Sequence, residues 1–340
     1  MKYRVLGKTG LNVSELGFGG IPIVRLATDE AVAILRHAFD RGITFYDTAN
    51  AYKDSEAKMG IAFSGIRDKV VLATKTLKRD AAGAKEQLEN SLRMLQTDYI
   101  DLYQFHQVAQ EKDWAAISAP GGALEVVVKA QQEGKIRHIG VSSHGLPMAI
   151  KLLKMGLFTT IQFPFNFIET DPSSELHVLA REMNIGILAM KPFAGGVIDN
   201  GPLAFKFLRQ YPDVLAIPGY DSVAAVDNIV DLYDQPNVVD SSDLALMDKY
   251  RAELGKRFCR RCEYCLPCPH GVNITPAMGY PIMAARMSPQ IAASRQTQIM
   301  ETVVKCTQCG VCISRCPYEL PIPEILRKNY DLFESHRASL

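Results

Sequence analysis

The chain is 340 residues long, 47% apolar and 22% charged, with a formal net charge of +1. That length sets one large domain beside a smaller one, and the balanced charge gives no electrostatic reason to expect nucleic acid or an anionic membrane as partner. The N-terminus lacks the apolar run of a secretory signal and no long apolar span follows, so the expected compartment is the cytoplasm.

Residues 3–13 read as two short strand-like runs around a Gly/Lys/Thr/Gly turn, the pattern of a β-hairpin closing the bottom of a barrel. From Val13 to Tyr233, short apolar runs alternate with amphipathic stretches. This is the signature of repeated βα units around a parallel sheet. Strands are expected at 16–20, 44–46, 70–74, 100–105, 136–141, 160–163, 186–190 and 214–217. A helix is expected at 29–41, with Ala31, Ile34, Leu35 and Ala38 on one face and Thr28 or Asp29 as its cap, and another at 84–95. The loop after the fourth strand, 107–120, reads as short.

Eight such units fit a closed (β/α)8 barrel better than a doubly wound sheet, which carries a G-x-G-x-x-G fingerprint after its first strand. Here Gly17-Phe18-Gly19-Gly20 lies in the strand and opens no helix. Asp234-Gln235-Pro236-Asn237 then marks a break, and 241–254 reads as a capped helix. The expected class is α/β: a TIM barrel over 1–235, then a mostly helical domain over 236–340.

A barrel puts its chemistry at the C-terminal ends of its strands. Asp47 falls after the second strand, Tyr52 five residues on, Lys75 after the third and His106 after the fourth. Singly, each has a structural reading as cap, packing or a satisfied polar group. Together they suit hydride reduction of a carbonyl, which needs a proton delivered to the developing alkoxide. Tyr52 is the donor, Lys75 the ammonium that favours its phenolate, Asp47 the carboxylate that holds the ammonium, and His106 the group that orients the carbonyl.

The stretches Gly7-Lys8-Thr9-Gly10-Leu11, Phe45-Tyr46-Asp47-Thr48-Ala49 with Tyr52 and Ser55-Glu56, Ala73-Thr74-Lys75, Asp98-Tyr99-Ile100-Asp101-Leu102-Tyr103 with His106, and Gly140-Val141-Ser142 resemble the motifs of the aldo/keto reductase family, in that family's order. The likeness runs over residues 1–233. It implies that Asp47, Tyr52, Lys75 and His106 form a catalytic tetrad and that NAD(P)H lies across the barrel top. It also implies that Ser142 and Gln162 touch the nicotinamide carboxamide, that Pro218 and Gly219 lie near the cofactor phosphates, and that Gly20, Ile21, Ser143, Met190, Lys191 and Pro192 line the same rim. Three positions depart from the family pattern. Ser142-Ser143 stands where Ser-Asn is usual, Met190 where an aromatic commonly stacks on the nicotinamide, and residues 219–225 hold no Lys or Arg for a 2'-phosphate, leaving Lys191 to supply charge.

All eight cysteines follow residue 258. The second run, Cys306-x2-Cys309-x2-Cys312-x3-Cys316-Pro317, is the bacterial ferredoxin spacing. The first, Cys259-x2-Cys262-x2-Cys265-x2-Cys268-Pro269, is one residue shorter before its last cysteine. In two-cluster ferredoxin modules the fourth Cys of each run ligates the other cluster. By that likeness one [4Fe-4S] cluster takes Cys259, Cys262, Cys265 and Cys316, and the other Cys306, Cys309, Cys312 and Cys268. Paired C-x2-C spacings also suit zinc, but runs of four ending in Cys-Pro favour iron-sulfur. Residues 272–304 read as two helices separating the halves, and Ile274-Thr275-Pro276 and Leu320-Pro321-Ile322-Pro323 follow the two runs as a degenerate repeat. The combination resembles the iron-sulfur branch of aldo/keto reductases.

Two readings of function follow. One is an oxidoreductase acting on a small carbonyl or alcohol with a nicotinamide. The other is an iron-sulfur electron-transfer or flavin-linked protein that keeps the barrel as scaffold and works with a ferredoxin or flavoprotein. Hydride carries two electrons and a [4Fe-4S] cluster one, so coupling the halves needs a group that splits the pair, such as a flavin.

Overall fold

A computed structural model describes residues 1–254, 257–261, 263–316 and 318–339. The chain divides into two compact units: Met1–Ala194 with Asn200–Val239, and Gly195–Asp199 with Asp240–Leu340.

In the first unit β1 (Tyr3–Val5) and β2 (Asn12–Ser14) pair antiparallel, Arg4 opposite Val13. Their connection is a 3-10 turn, Gly7–Thr9, ended by Gly10 at φ 72°, a conformation open to glycine without steric cost. Eight parallel strands follow: β3 (Gly17–Gly19), β4 (Phe45–Asp47), β5 (Val71–Thr76), β6 (Ile100–Phe105), β7 (Ile136–Ser142), β8 (Thr160–Pro164), β9 (Gly186–Met190) and β10 (Val214–Ala216). Each pairs with its neighbour in chain order. The two edges of the sheet meet through bridges from Leu16 to Ala216 and from Gly19 to Gly219, with the Gly19 N–H donating to the Pro218 carbonyl at 2.7 Å.

Side chains alternate across a strand, and one face of this sheet is continuously apolar. Phe45, Val71, Ala73, Leu102, Leu188, Leu215 and Ile217 form a buried cluster with Leu6 and Val13 from the hairpin region, and Leu11 and Met190 pack against it. The cylinder is therefore a filled core with Leu6 of the hairpin connection packed into it.

The connecting helices are α1 (Thr28–Asp40), α2 (Ser55–Phe63), α3 (Ala81–Met94), α4 (Glu111–Ser118), α5 (Ala123–Gln132), α6 (Leu146–Lys154), α7 (Leu176–Glu182), α8 (Gly201–Leu208) and α9 (Val223–Tyr233). Helix α1 buries Ala31, Ile34, Leu35 and Ala38 as the spacing predicts. Its cap differs from expectation. Thr28 is already helical, Ala27 is the N-cap and no side chain caps it, while Asp29 and Glu30 favour the first turn through the helix dipole. Helix α3 begins three residues earlier than expected because Asp80 accepts the Gly83 N–H at 2.8 Å. The loop after β6 is not simply a short connection. It folds into α4, started by a capping box between Gln110 and Asp113.

The second unit opens with α10 (Ser241–Leu254), where Asp240 accepts the N–H groups of Ser242 and Asp243 at 2.8 and 2.9 Å. Residues 272–304 hold three α-helices where two were expected: α11 (Ile274–Met278), α12 (Tyr280–Met287) and α13 (Pro289–Met300), followed by a 3-10 turn, Glu301–Lys305. The breaks fall at Gly279 and Ser288, and each is followed by a proline, Pro281 and Pro289, within the first turn of the next helix, where a missing N–H costs least. The short α14 (Val311–Ser314) and the long α15 (Ile322–Arg337) complete it. Its core gathers Ile274, Tyr280, Met300, Leu326 and Phe333. Among the described residues no helix is long and apolar enough to cross a membrane.

One glycine marks an incompressible approach. A Cβ on Gly60 in α2 would stand 2.3 Å from the carbonyl oxygen of Met94 and 2.9 Å from the carbonyl carbon of Leu95, at the end of α3. Because backbone cannot rotate away, Gly60→Ala is expected to lower stability by about 1–3 kcal/mol. A urea titration should find the midpoint lowered with the slope unchanged.

Candidate active site and cysteine-lined cavities

The inward alternation that builds the barrel core continues into polar residues at one end. Phe45 gives way to Asp47, Ala73 to Lys75, Leu102 to Gln104 and Thr160 to Gln162, each two residues on along its strand. Strand register places Asp47 beside Ala73, Lys75 beside Gln104, and Ser142 beside Gln162.

The Lys75 ammonium donates to Asp47 Oδ2 at 2.7 Å and to the Thr48 carbonyl at 2.6 Å. The two side chains are 1% and 5% exposed. Gln104 Nε2 donates to Asp47 Oδ1 and Gln162 Nε2 to Oδ2, both at 3.3 Å. Burial pushes the Asp47 carboxyl above the usual carboxylate range, and Lys75 with the two amides opposes that rise.

Tyr52 lies in a turn before α2. Its N–H donates to the Ala49 carbonyl and its own carbonyl accepts from Ser55. Ser55 Oγ in turn donates to the Gly20 carbonyl and accepts from Thr48 Oγ1, tying the turn to β3 and β4. The Lys75 ammonium stands 5.3 Å from the centroid of the Tyr52 ring, and the His106 ring meets it edge-on at 5.7 Å. His106 follows β6 directly, and its N–H donates to the Thr76 carbonyl at 2.9 Å. Burial first, then Lys75 and Arg79, hold its imidazole well below its ordinary value of 6.5, so it is neutral at physiological pH. Its Nδ1 is buried without a hydrogen-bond partner. The four residues expected to act together are thus neighbours at one end of the barrel.

The expected cofactor rim is distributed as follows. Gly20 is buried and its N–H donates to the Asp47 carbonyl at 2.7 Å. Ile21 starts the 3-10 turn Pro22–Arg25. Ser142 Oγ accepts the Gln107 N–H at 3.0 Å, and Ser143 is locked into its own turn by the Gly145 N–H at 3.1 Å. Gln162 is occupied with Asp47 through its nitrogen, while its Oε1 is buried and unpartnered. Met190 packs on the top of the barrel core. Lys191 is buried at φ 59° and Pro192 is buried beside it. Pro218 joins β3, and Gly219 is exposed.

Sequence reasoning missed four residues. Gln104 was legible as the next inward position after Leu102. Asn166 was not, since it sits in the loop after β8 and donates to the Lys191 carbonyl at 3.0 Å and to Glu169 at 2.8 Å. Arg25 lies far in sequence from the 219–225 loop, yet its Nη2 donates to Asp221 at 3.0 Å, so folding brings a cation to a loop that has none of its own. Glu56 was quoted only as part of a motif. It is buried and accepts from Thr74 Oγ1 at 2.6 Å and from Asn50 Nδ2 at 3.4 Å, and burial raises its carboxyl against these hydrogen bonds.

In the second unit the cysteines line two cavities. Cys268, Cys306, Cys309 and Cys312 share one, with Pro269, His270 and Leu326. Cys259, Cys265 and Cys316 share another, with Arg260, Tyr318 and Ile322. Cys262 lies outside the described residues. The shorter spacing of the first run does not keep Cys268 from the cavity of the second run. Ile274 lines both cavities. Among the described residues no three His, Cys, Asp or Glu side chains are gathered closely enough to hold a single metal ion.

Comparison with known proteins agrees with this architecture. Residues 15–238 match the model of the aldo/keto reductase family, and residues 258–321 match that of a 4Fe-4S dicluster domain. Aldo-keto reductase YhdN of Bacillus subtilis is 36% identical over 62% of this chain and 66% of its own length. The uncharacterized oxidoreductase YrpG of the same organism is 35% identical over 60% and 70%. The crystal structure of an aldo-keto reductase from Klebsiella pneumoniae in complex with NADPH superposes with TM-score 0.63 at 27% identity, covering 74% of this chain and 96% of that one. The holo form of aldo-keto reductase AKR11C1 from Bacillus halodurans gives TM-score 0.62 at 27% identity over the same shares. The chain belongs to the aldo/keto reductase family and joins that family's barrel to a C-terminal 4Fe-4S dicluster domain.

Proposed function

We propose that the barrel reduces a small carbonyl, or oxidises the matching alcohol, by hydride exchange with a nicotinamide, and that the C-terminal unit holds two [4Fe-4S] clusters. The observation that carries the first half is the convergence of one ammonium on Asp47 at 2.7 Å and on the Tyr52 ring at 5.3 Å, with the neutral His106 ring beside the same phenol.

A bound nicotinamide supplies the hydride. The residues at the barrel end suit it: Gln162 Oε1 is a buried acceptor awaiting a donor, such as a carboxamide N–H, and Ser142 stands beside it in register. Everything else is done by side chains. Tyr52 gives its proton to the oxygen on which charge develops. Lys75 favours the phenolate left behind, and Asp47 keeps that ammonium from turning away. His106, neutral and unpartnered at Nδ1, orients the carbonyl by a hydrogen bond. Arg25 and Asp221 stand where the 219–225 loop would meet the adenosine end, so cofactor preference rests on that pair: an acidic residue suits a 2'-hydroxyl and an arginine a 2'-phosphate.

For the clusters, Cys259, Cys262, Cys265 and Cys316 would hold one, and Cys268, Cys306, Cys309 and Cys312 the other. The sharing of cavities supports this partition. Nicotinamide gives two electrons together and a cluster takes one. The clusters therefore serve a one-electron partner, with a flavin as the group able to join the two chemistries.

Three outcomes are expected. Tyr52→Phe lowers turnover of a small aldehyde by about 10²- to 10⁴-fold and leaves NADPH or NADH affinity unchanged by fluorescence titration; undiminished turnover removes Tyr52 from the donor role. Anaerobic reconstitution gives about eight irons and eight sulfides per chain, and zinc without sulfide ends the cluster reading. The third concerns pH. The unfolded chain protonates His106 near its ordinary value while the folded one resists, so stability is full above about pH 6.5 and is lost as pH falls below it, by at most about 1.4 kcal/mol per unit. The raised carboxyls of Asp47 and Glu56 act in the opposite sense nearer their own ordinary values. Urea titrations at pH 7 and 5.5 should show His106→Asn losing less stability on acidification than the parent chain.

A further inference from the structure

Beside the four residues gathered at the barrel end lies a further buried charge. Glu56 is the second residue of α2, four positions after Tyr52, and is 2% exposed. It accepts from Thr74 Oγ1 at 2.6 Å and from Asn50 Nδ2 at 3.4 Å. Both donors are neutral, whereas a buried carboxylate is ordinarily paired with a cation. The cation whose charge reaches it is Lys75.

The strand explains this placing. Ala73 belongs to the barrel core, so Lys75 leaves β5 toward the inside and Thr74, between them, leaves it on the other face. Asp47 meets the ammonium within the barrel at 2.7 Å, and Thr74 holds Glu56 on the outer side of the same strand. Backbone closes the arrangement: the Thr48 N–H donates to the Ala73 carbonyl at 2.8 Å and the Asn50 N–H to the Lys75 carbonyl at 3.1 Å. The turn that carries Tyr52 is thereby tied to the residues on either side of Thr74, which fixes the phenol, the ammonium and the second carboxylate relative to one another.

We infer that Glu56 is a positioning residue that acts through Lys75: its charge opposes that of the ammonium at Tyr52, so that the phenol keeps its proton at the pH where it must donate it. The inference rests on the proton-donor reading of Tyr52. An ammonium beside a phenol favours the phenolate, and a phenolate has no proton to give. Asp47 offsets part of that pull from contact distance, and Glu56 offsets more from a buried position, where charges act over longer distances than in water. The same carboxylate already acts on another phenol, since burial first and then Glu56 hold Tyr103 above its ordinary range. The other charged or ionisable groups at this corner are the neutral His106, Arg79, which acts on that imidazole, and the exposed Lys53 and Asp54 of the turn, Asp54 being paired with Lys58 at 2.9 Å. None of them is altered in the comparison that follows.

The test reads Tyr52 directly in the full chain, by carbon NMR of ring-labelled tyrosine across alkaline pH, with the Tyr52 signal identified by its absence in Tyr52→Phe. Glu56→Gln is expected to lower the pH at which Tyr52 ionises by about half a unit or more. The alkaline limb of kcat for reduction of a small aldehyde should move with it. Glu56→Asp keeps the charge and should titrate like the parent. A Tyr52 signal that titrates alike in the parent and in folded Glu56→Gln overturns the inference, as does a shift as large in Glu56→Asp, or a kcat limb that stays in place while the titration moves. Should Glu56→Gln not fold, Glu56→Leu with Thr74→Val removes the carboxylate together with its nearer donor, leaving neither unpaired. That pair must lower the titration in the same way, and no lowering again overturns the inference. Turnover undiminished in Tyr52→Phe defeats the donor reading itself, a separate outcome that the titration does not decide.

Discussion

The buried ion pair of Lys75 and Asp47 is the constraint around which the barrel end is organised. Two charges almost wholly removed from water cost several kcal/mol each to desolvate, and an apolar pair of the same volume would often be more stabilising by about 1–4 kcal/mol. The chain retains the pair and surrounds it with the donors and acceptors that make it tolerable: the Thr48 carbonyl on the ammonium, and the Gln104 and Gln162 amides on the carboxylate. These partners come from the strands β6 and β8 and from the end of β4. No local segment could assemble the group. The cylinder is what brings it together, and its apolar filling below, from Leu6 to Ile217, keeps water from reaching the pair from beneath.

This explains which parts of the site could be read in the sequence. The strands expected from apolar runs stop short of the functional residues: 44–46 where the strand is Phe45–Asp47, 70–74 where it is Val71–Thr76, and 136–141 where it is Ile136–Ser142. Each expected strand ends one or two residues early, whereas the hydrogen-bonded ladder continues through Asp47, Lys75 and Ser142. Asp47, Lys75 and Ser142 are inside their strands, and this is why they are held rigidly. Asp47, Tyr52, Lys75 and His106 were legible because they fall at or just beyond the ends of successive expected strands. Asn166 and the Arg25–Asp221 pair were not, because their meaning depends on what folding brings beside them. The break points of the helices between the cysteine runs were hidden for a similar reason. Gly279 and Ser288 stop helices only together with the prolines that restart them.

The chemistries proposed for the two halves move electrons in different portions. At the barrel end the chemistry suits a pair of electrons moved with a proton from Tyr52, and the neutrality of His106 fits it, since an imidazolium there would set a further positive charge beside Lys75 and Arg79. The clusters proposed for the C-terminal unit would exchange single electrons. A reaction that used both would require a carrier able to store two electrons and release one.

The cysteine unit carries its own constraint, and it is one of connectivity. Among the described cysteines the two runs share cavities crosswise: Cys316 lines the cavity of Cys259 and Cys265, and Cys268 that of Cys306, Cys309 and Cys312. If each cavity holds a cluster as proposed, neither run finishes a cage alone. Ile274, at the start of α11, lines both cavities, and Ile322 and Pro323, at the start of α15, line one each, so the helix that follows each run forms part of the walls. Loss of one cage would therefore remove a ligand from the other and loosen a shared wall. The two sites should assemble and fail as one cooperative unit, because metal binding in a small domain is also its folding energy.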